Sequence, residues 1–206
     1  MTSQPLVRGV LKPLVFLAAL SPFLYLVWRA VAGELSANPI EDITLTTGRW
    51  TLRFLLVTLA VTPLRRLTGW QPAIRFRRML GLFAFFYGTL HFLTYVVLDQ
   101  FFGWAFILED IAKRPYITVG FAAFVLLIPL AITSTSGMIR RLGGRRWAWL
   151  HRLVYLSAAG GVVHYLWKVK ADTRDPLAYA AVLAVLLGWR VWVAARRRVS
   201  IAAARS

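Results

Sequence analysis

Residues 79–98 read MLGLFAFFYGTLHFLTYVVL, 20 residues without a Lys, Arg, Asp or Glu. Twenty apolar residues at 1.5 Å per residue make the ~30 Å that a helix needs to cross the hydrocarbon layer. The stretch also holds a histidine, His91, at a depth where an ionisable group is costly without a partner. Five more runs of comparable character follow when the reading is extended outward: 11–31, 49–66, 116–136, 149–168 and 176–195. The expected fold is therefore all-α, a polytopic membrane bundle of about six transmembrane helices forming a single domain over 1–206.

Composition agrees. The chain is 59% hydrophobic and 16% charged, far from the balance of a soluble domain, and carries nine Trp. A net charge of +17 would suit a nucleic-acid binder. The charges fall instead between the apolar runs, with no continuous basic face, so no nucleic-acid partner is expected and membrane lipid is the expected surroundings. Fifteen basic residues gather in the N-terminal segment, the loops after the second and fourth runs, and the tail. Six lie in the opposite loops, together with all eight acidic residues. Lys and Arg accumulate on the cytoplasmic side, so both termini are expected in the cytoplasm. A cleavable signal ending near Ala30-Val31-Ala32 is the competing reading. It is disfavoured because cleavage would leave five spans and move the basic tail away from the other basic loops. Phe101 to Leu108 is expected to lie at the outer interface.

The chain has no Cys, which excludes disulfides, iron–sulfur clusters and covalently attached haem. Metal or redox chemistry falls to the three histidines. His91 and His164 lie in runs that point the same way, each roughly 12 Å below its outer loop. The turn preceding His91 contains Gly88, and that preceding His164 contains Gly160 and Gly161, giving room for a flat macrocycle against the helix backbones. The two histidines are the candidate axial ligands of haem iron. His151, beside Arg152 at the cytoplasmic start of its run, is a possible ligand, with an interfacial structural role at least as well supported. Arg49 and Arg53 are candidates for contacts to haem propionates, weighed against snorkelling to the interface. No catalytic constellation appears, and Gly143-Gly144 reads as a short cytoplasmic turn. Met138, on the inner side, is a poor candidate ligand. Two other functions share these residues: a transporter with a His- and Arg-lined proton path, and a stand-alone ferric or quinone reductase.

Pro22-Phe23-Leu24, Leu26-Val27-Trp28, Asn38-Pro39, Asp42-Ile43, Thr47-Gly48-Arg49 and Thr62-Pro63-Leu64 resemble the haem-binding membrane subunit of the bacterial periplasmic methionine sulfoxide reductase system. The resemblance continues through Arg77-Arg78, Leu80-Gly81-Leu82, Leu90-His91, Arg114-Pro115-Tyr116, Thr133-Ser134-Thr135, Leu150-His151, Val154-Tyr155-Leu156 and His164-Tyr165-Leu166-Trp167. It implies a b-type cytochrome of the bacterial inner membrane. Such a subunit takes electrons from membrane quinol or a cytoplasmic flavin reductase and passes them to a periplasmic molybdopterin-dependent catalytic subunit, which reduces oxidised methionine in proteins. It also implies FMN as a second cofactor. In the related ferric reductases and NADPH oxidases two helices carry two His each. Here Arg77 stands where the fourth His would be, so the outer pair is complete and the inner one has at most His151, which the resemblance makes a possible ligand of an inner haem or part of a flavin or quinone site. A short basic tail after the last run leaves no expectation of a dinucleotide-binding domain.

Overall fold

The structure, a computed structural model, describes the backbone of residues 4–203 and the side chains of residues 5–196. Arg205 of the basic tail lies outside the described residues. Among those described there is no strand. The helices are α1 (Lys12–Val31), α2 (Pro39–Thr68), α3 (Arg77–Leu93), α4 (Trp104–Lys113), α5 (Pro115–Ile132), α6 (Ser136–Leu142), α7 (Gly144–Leu150), α8 (Leu153–Lys168) and α9 (Arg174–Ala203). A π-helical segment, Val7–Leu11, leads into α1, and another, Thr94–Asp99, extends α3.

Four segments are long and apolar enough to cross a membrane: Val7–Val31, Gln71–Asp99, Pro115–Ile132 and Arg174–Arg196. The other two expected runs fall on α2 and, for the greater part, on α8. They fall short for identifiable reasons, since α2 carries Arg49, Arg53, Arg65 and Arg66 and α8 is only 16 residues long. Both are shielded by neighbours. The most extensive helix contacts are α2 with α3 and α5 with α8, and these two pairs meet through α3 with α5 and α2 with α8.

Local chemistry sets the ends. Asn38 precedes Pro39, and its side-chain oxygen accepts from the Glu41 N–H at 3.3 Å, capping α2, which stops at Gly69 with φ 70°. α5 ends at Ile132 because the Thr133 and Ser134 hydroxyls turn back onto the carbonyls of Pro129 and Leu130. Thr135 then caps α6, so the Thr133–Ser136 run is a polar helix end. Gly143, at φ 75°, makes the turn between α6 and α7.

The fifth expected run, 149–168, is not one helix. α7 closes at Leu150, His151 and Arg152 form a turn, and α8 begins at Leu153. Residues 101–108 do form an apolar segment at the loop end. Phe101 and Phe102 turn the chain at positive φ, and α4 presents Trp104, Phe106 and Leu108 outward.

The core is aromatic around Tyr87, which is 1% exposed and stacks on Phe54 at 5.3 Å. Its hydroxyl donates to the Ala19 carbonyl at 2.9 Å and accepts from the Phe23 N–H at 3.1 Å. Pro22 disturbs α1 there, and the phenol fills the opened step of the helix ladder. Tyr87 thus joins α1 to α3, beside the ring contacts Phe16–Phe83 at 5.2 Å and Phe23–Phe86 at 5.4 Å.

Candidate functional site

Each helix pair contributes one histidine. His91, on α3, places Nδ1 2.9 Å from the carbonyl of Thr44 on α2. His164, on α8, places Nδ1 2.7 Å from the carbonyl of Tyr116 on α5. A carbonyl only accepts, so Nδ1–H donates in both rings and each neutral imidazole keeps its lone pair on Nε2. Metal-binding histidines are characteristically oriented in this way, through a hydrogen bond from the other ring nitrogen. The spacing repeats as well, with donor and acceptor 47 residues apart in one pair and 48 in the other.

Two glycines make these bonds possible. A helical carbonyl accessible to a side chain on a neighbouring helix requires little bulk one turn later. That position is Gly48 after Thr44 and Gly120 after Tyr116. A Cβ on Gly48 would sit 3.1 Å from His91 Nδ1 and Cε1. One on Gly120 would sit 2.5 Å from His164 Nδ1 and 2.9 Å from Cε1, closer than side-chain carbons approach. Sequence reasoning missed Gly120 altogether and took Gly48 only as part of a motif. The available signal was the near-equal Gly-to-His spacing in the two pairs.

The two rings lie close together, nearly perpendicular, with centroids 6.0 Å apart and planes at 77°. Metal–imidazole bonds are about 2.0–2.1 Å, so two imidazoles on opposite sides of one metal ion have centroids roughly 6 Å apart. The observed pair has that separation. Among the described residues no group of three or more His, Asp or Glu gathers to hold a bare ion. Two imidazole nitrogens without further protein donors would suit a metal whose remaining coordination a macrocycle supplies, as in haem.

The rings border a cavity of about 420 Å³. That volume lies within the usual range for cofactor pockets. Its walls are apolar and include Leu52, Leu55, Phe92, Phe124 and Leu127. Its charged lining residues are Arg49, Asp99, Arg114 and Lys168. Gly88 and Gly161 also line it, where added Cβ atoms would meet Phe124 and Thr51 at 3.5 Å and Leu52 at 2.9 Å respectively. Gly160 is placed differently, outside the cavity lining. A Cβ on it would meet Ala123 at 3.0 Å, so its small size serves the contact of α8 with α5.

The two candidate arginines also separate. Arg49 lines the cavity and bonds the Leu45 carbonyl through Nε at 3.2 Å. Arg53 is outside the lining: its Nε donates to the Tyr179 hydroxyl at 3.0 Å and its guanidinium lies 4.6 Å from the Trp50 ring centre. His151 is outside it too. Its Nε2 is 3.0 Å from the Thr133 hydroxyl, its ring stacks on Trp147 at 3.9 Å, and Trp147 donates to the Thr133 carbonyl at 2.9 Å. Outside the helices' apolar segments, Asp42 is held below the ordinary carboxylate range by the Ser36 N–H and by Arg29, 2.8 Å away.

A family model described as the ferric reductase like transmembrane component matches residues 47–162. A protein of Herminiimonas arsenicoxydans is 56% identical over 191 residues, covering 92% of this chain and 88% of the relative. One from Ralstonia nicotianae is 60% identical over 180 residues, covering 86% and 83%. One from Rhodospirillum rubrum is 57% identical over 184 residues, covering 89% and 88%. All three are named heme-binding subunit of protein-methionine-sulfoxide reductase, MsrQ.

Proposed function

Since the chain belongs to the ferric reductase like transmembrane family, alongside the heme-binding subunits of protein-methionine-sulfoxide reductase, we propose that it is the haem-carrying membrane subunit of such a system. The observation that carries this reading is the pair of imidazoles 6.0 Å apart, each tied through Nδ1 to a carbonyl of the partner helix. In this reading His91 and His164 are the residues that would hold the iron of one haem b through Nε2. Bound there, haem supplies a one-electron carrier, and its potential answers to ligand identity and surroundings.

The remaining chemistry belongs to the chain. Thr44 and Tyr116 hold the imidazoles in one tautomer and raise their basicity. Gly48 and Gly120 keep those bonds short. Gly88 and Gly161 let apolar walls approach a flat ring, and Leu52, Phe92 and Phe124 limit water around it. Arg49 and Lys168, both on the cavity lining, offer cations to peripheral carboxylates. Arg53 is engaged elsewhere, so Arg49 is the better of the two candidates.

Electrons enter from membrane quinol or a cytoplasmic flavin reductase and leave to a periplasmic molybdopterin-dependent subunit that reduces methionine sulfoxide in proteins. The positive-inside asymmetry supports a single six-span domain in the bacterial inner membrane with both termini in the cytoplasm. On that topology the histidine pair lies toward the periplasm, beside the acceptor. FMN rests on the family resemblance. His151, bonded to Thr133 and Trp147, serves the inner half as a structural or donor-side group.

The test is spectroscopic and then functional. Purified protein should show a low-spin haem Soret band. After reduction by a quinol analogue, that band should be reoxidised when the soluble reductase and a methionine-sulfoxide-containing protein are added together. A colourless preparation would defeat the proposal. Reoxidation by ferric chelates, with none by the reductase and its substrate, would favour a stand-alone ferric reductase.

A further inference from the structure

A second cavity of about 390 Å³ lies between the C-terminal part of α2, the start of α8 and the C-terminal part of α9. Its polar lining groups are Thr62, Arg66, Arg152, Tyr155, Trp189 and Arg190, and no carboxylate is among them. Three of these side chains have buried atoms without a protein partner: Thr62 Oγ1, Trp189 Nε1 and Arg190 Nε. Buried donors without a partner are costly, so these groups call for an acceptor supplied from outside. None of the chain's eight acidic residues lines the cavity, so no carboxylate of its own supplies that acceptor.

Arg190 is already fixed for such a role. Its Nη2 donates to the Leu59 carbonyl at 2.7 Å and its guanidinium lies 5.1 Å from the Tyr155 ring centre, which leaves Nε–H unused. Arg66 and Arg152 add two exposed guanidinium groups. The remaining wall is apolar, Val193 and Ala194, and on the same helix Val185, Val191 and Trp192 are exposed. A pocket of arginines and neutral donors, opening beside an apolar helix surface at the basic end of a membrane bundle, has the chemistry of a phospholipid headgroup site. A phosphodiester provides the acceptor oxygens, and acyl chains lie along the exposed face of α9.

We propose that this pocket binds the phosphate of an anionic phospholipid between α2, α8 and α9. The proposal rests on the membrane reading and the inner-side placement given above, and is independent of haem ligation. A soluble phosphate ester shares the phosphate chemistry but lacks the chains, and the test separates the two.

Haem-loaded full-length protein in a neutral detergent is titrated with phosphatidylglycerol, and bound lipid is counted by native mass spectrometry. Inorganic phosphate and FMN serve as competitors. The expected result is a saturable lipid adduct weakened at least about tenfold in Arg66→Gln/Arg152→Gln. Arg140→Gln/Arg141→Gln, with the same charge change outside the pocket, should bind as the parent does. The Soret band should be unchanged in both, which separates loss of the lipid site from loss of the haem fold. Equal lipid binding by the pocket variant and the parent would overturn the proposal, as would displacement of the lipid by inorganic phosphate or FMN.

Discussion

At the scale of single residues, the proposed haem site turns on the Nδ1 tethers of His91 and His164. Replacing either histidine by Ala removes one side of the proposed ligand pair, so the low-spin spectrum should vanish in both variants. His151→Ala should keep it, since His151 bonds Thr133 and stacks on Trp147 outside the cavity. An absorption spectrum of each membrane preparation checks all three, and haem loss in His151→Ala alone would reassign the ligands. Gly120→Ala is the sharper probe. Its Cβ would lie 2.5 Å from His164 Nδ1, so the ring must leave the Tyr116 carbonyl, and haem affinity should fall by about tenfold or more, the usual range for lost orienting bonds. Gly160→Ala meets Ala123 at 3.0 Å and the Val119 carbonyl at 3.7 Å, neither on the histidine pair, and should alter stability rather than the spectrum. Haem titration of the two variants side by side distinguishes these outcomes. The histidines were legible in the sequence because an imidazole within an apolar run needs a reason. Gly120 was not, because what a glycine makes room for depends on the opposite helix, and nothing in the local run shows that.

At the scale of elements, the apolar runs located α1, α3, α5 and α9, because length and hydropathy are local properties. The break at His151–Arg152 escaped them. It has no Gly or Pro to mark it and arises from a tertiary arrangement, Trp147 and His151 gathered on the Thr133 end of α5. The join between α1 and α3 was equally hidden, since it depends on Tyr87 reaching a helix step next to Pro22. Tyr87→Phe leaves the Phe23 N–H and Ala19 C=O without their shared partner and should destabilise the protein by roughly 1–3 kcal/mol. Thermal unfolding followed by loss of the Soret band measures this, and an unchanged midpoint would show that the α1 ladder closes by itself. A second join lies at the loop end, where Arg29 from α1 meets Asp42 in the first turn of α2 at 2.8 Å. The Asp42 carboxyl titrates below its ordinary value, so its stabilisation is complete above about pH 4 and fades as pH falls through the depressed folded value. Asp42→Asn should therefore flatten the acid limb of the stability profile while leaving neutral-pH haem binding intact. Superimposable acid limbs for the variant and the parent would remove the pair from the account.

At the scale of the whole molecule, the fold class was legible from composition and charge placement, whereas the pairing of helices was not. Hydropathy shows that a run is buried without showing against which neighbour. The absence of Cys offers a clean way to test sidedness. Single cysteines at Lys170 and at Arg145 should react with a membrane-impermeant maleimide from opposite faces, Lys170→Cys from the periplasm and Arg145→Cys only after the inner face is exposed. Labelling of both from the same side would refute the topology. The two helix pairs carry a biosynthetic consequence. α2 and α3 leave the ribosome well before α5 and α8, so each half of the ligand pair exists on its own for a time. A cofactor gripped by both halves would fasten them as a rivet does, and ligand binding to the native state alone raises its stability by mass action. Cells starved of haem would then carry a looser molecule with more exposed backbone for proteases, so the amount of this protein in the membrane should follow haem supply even when its transcription does not.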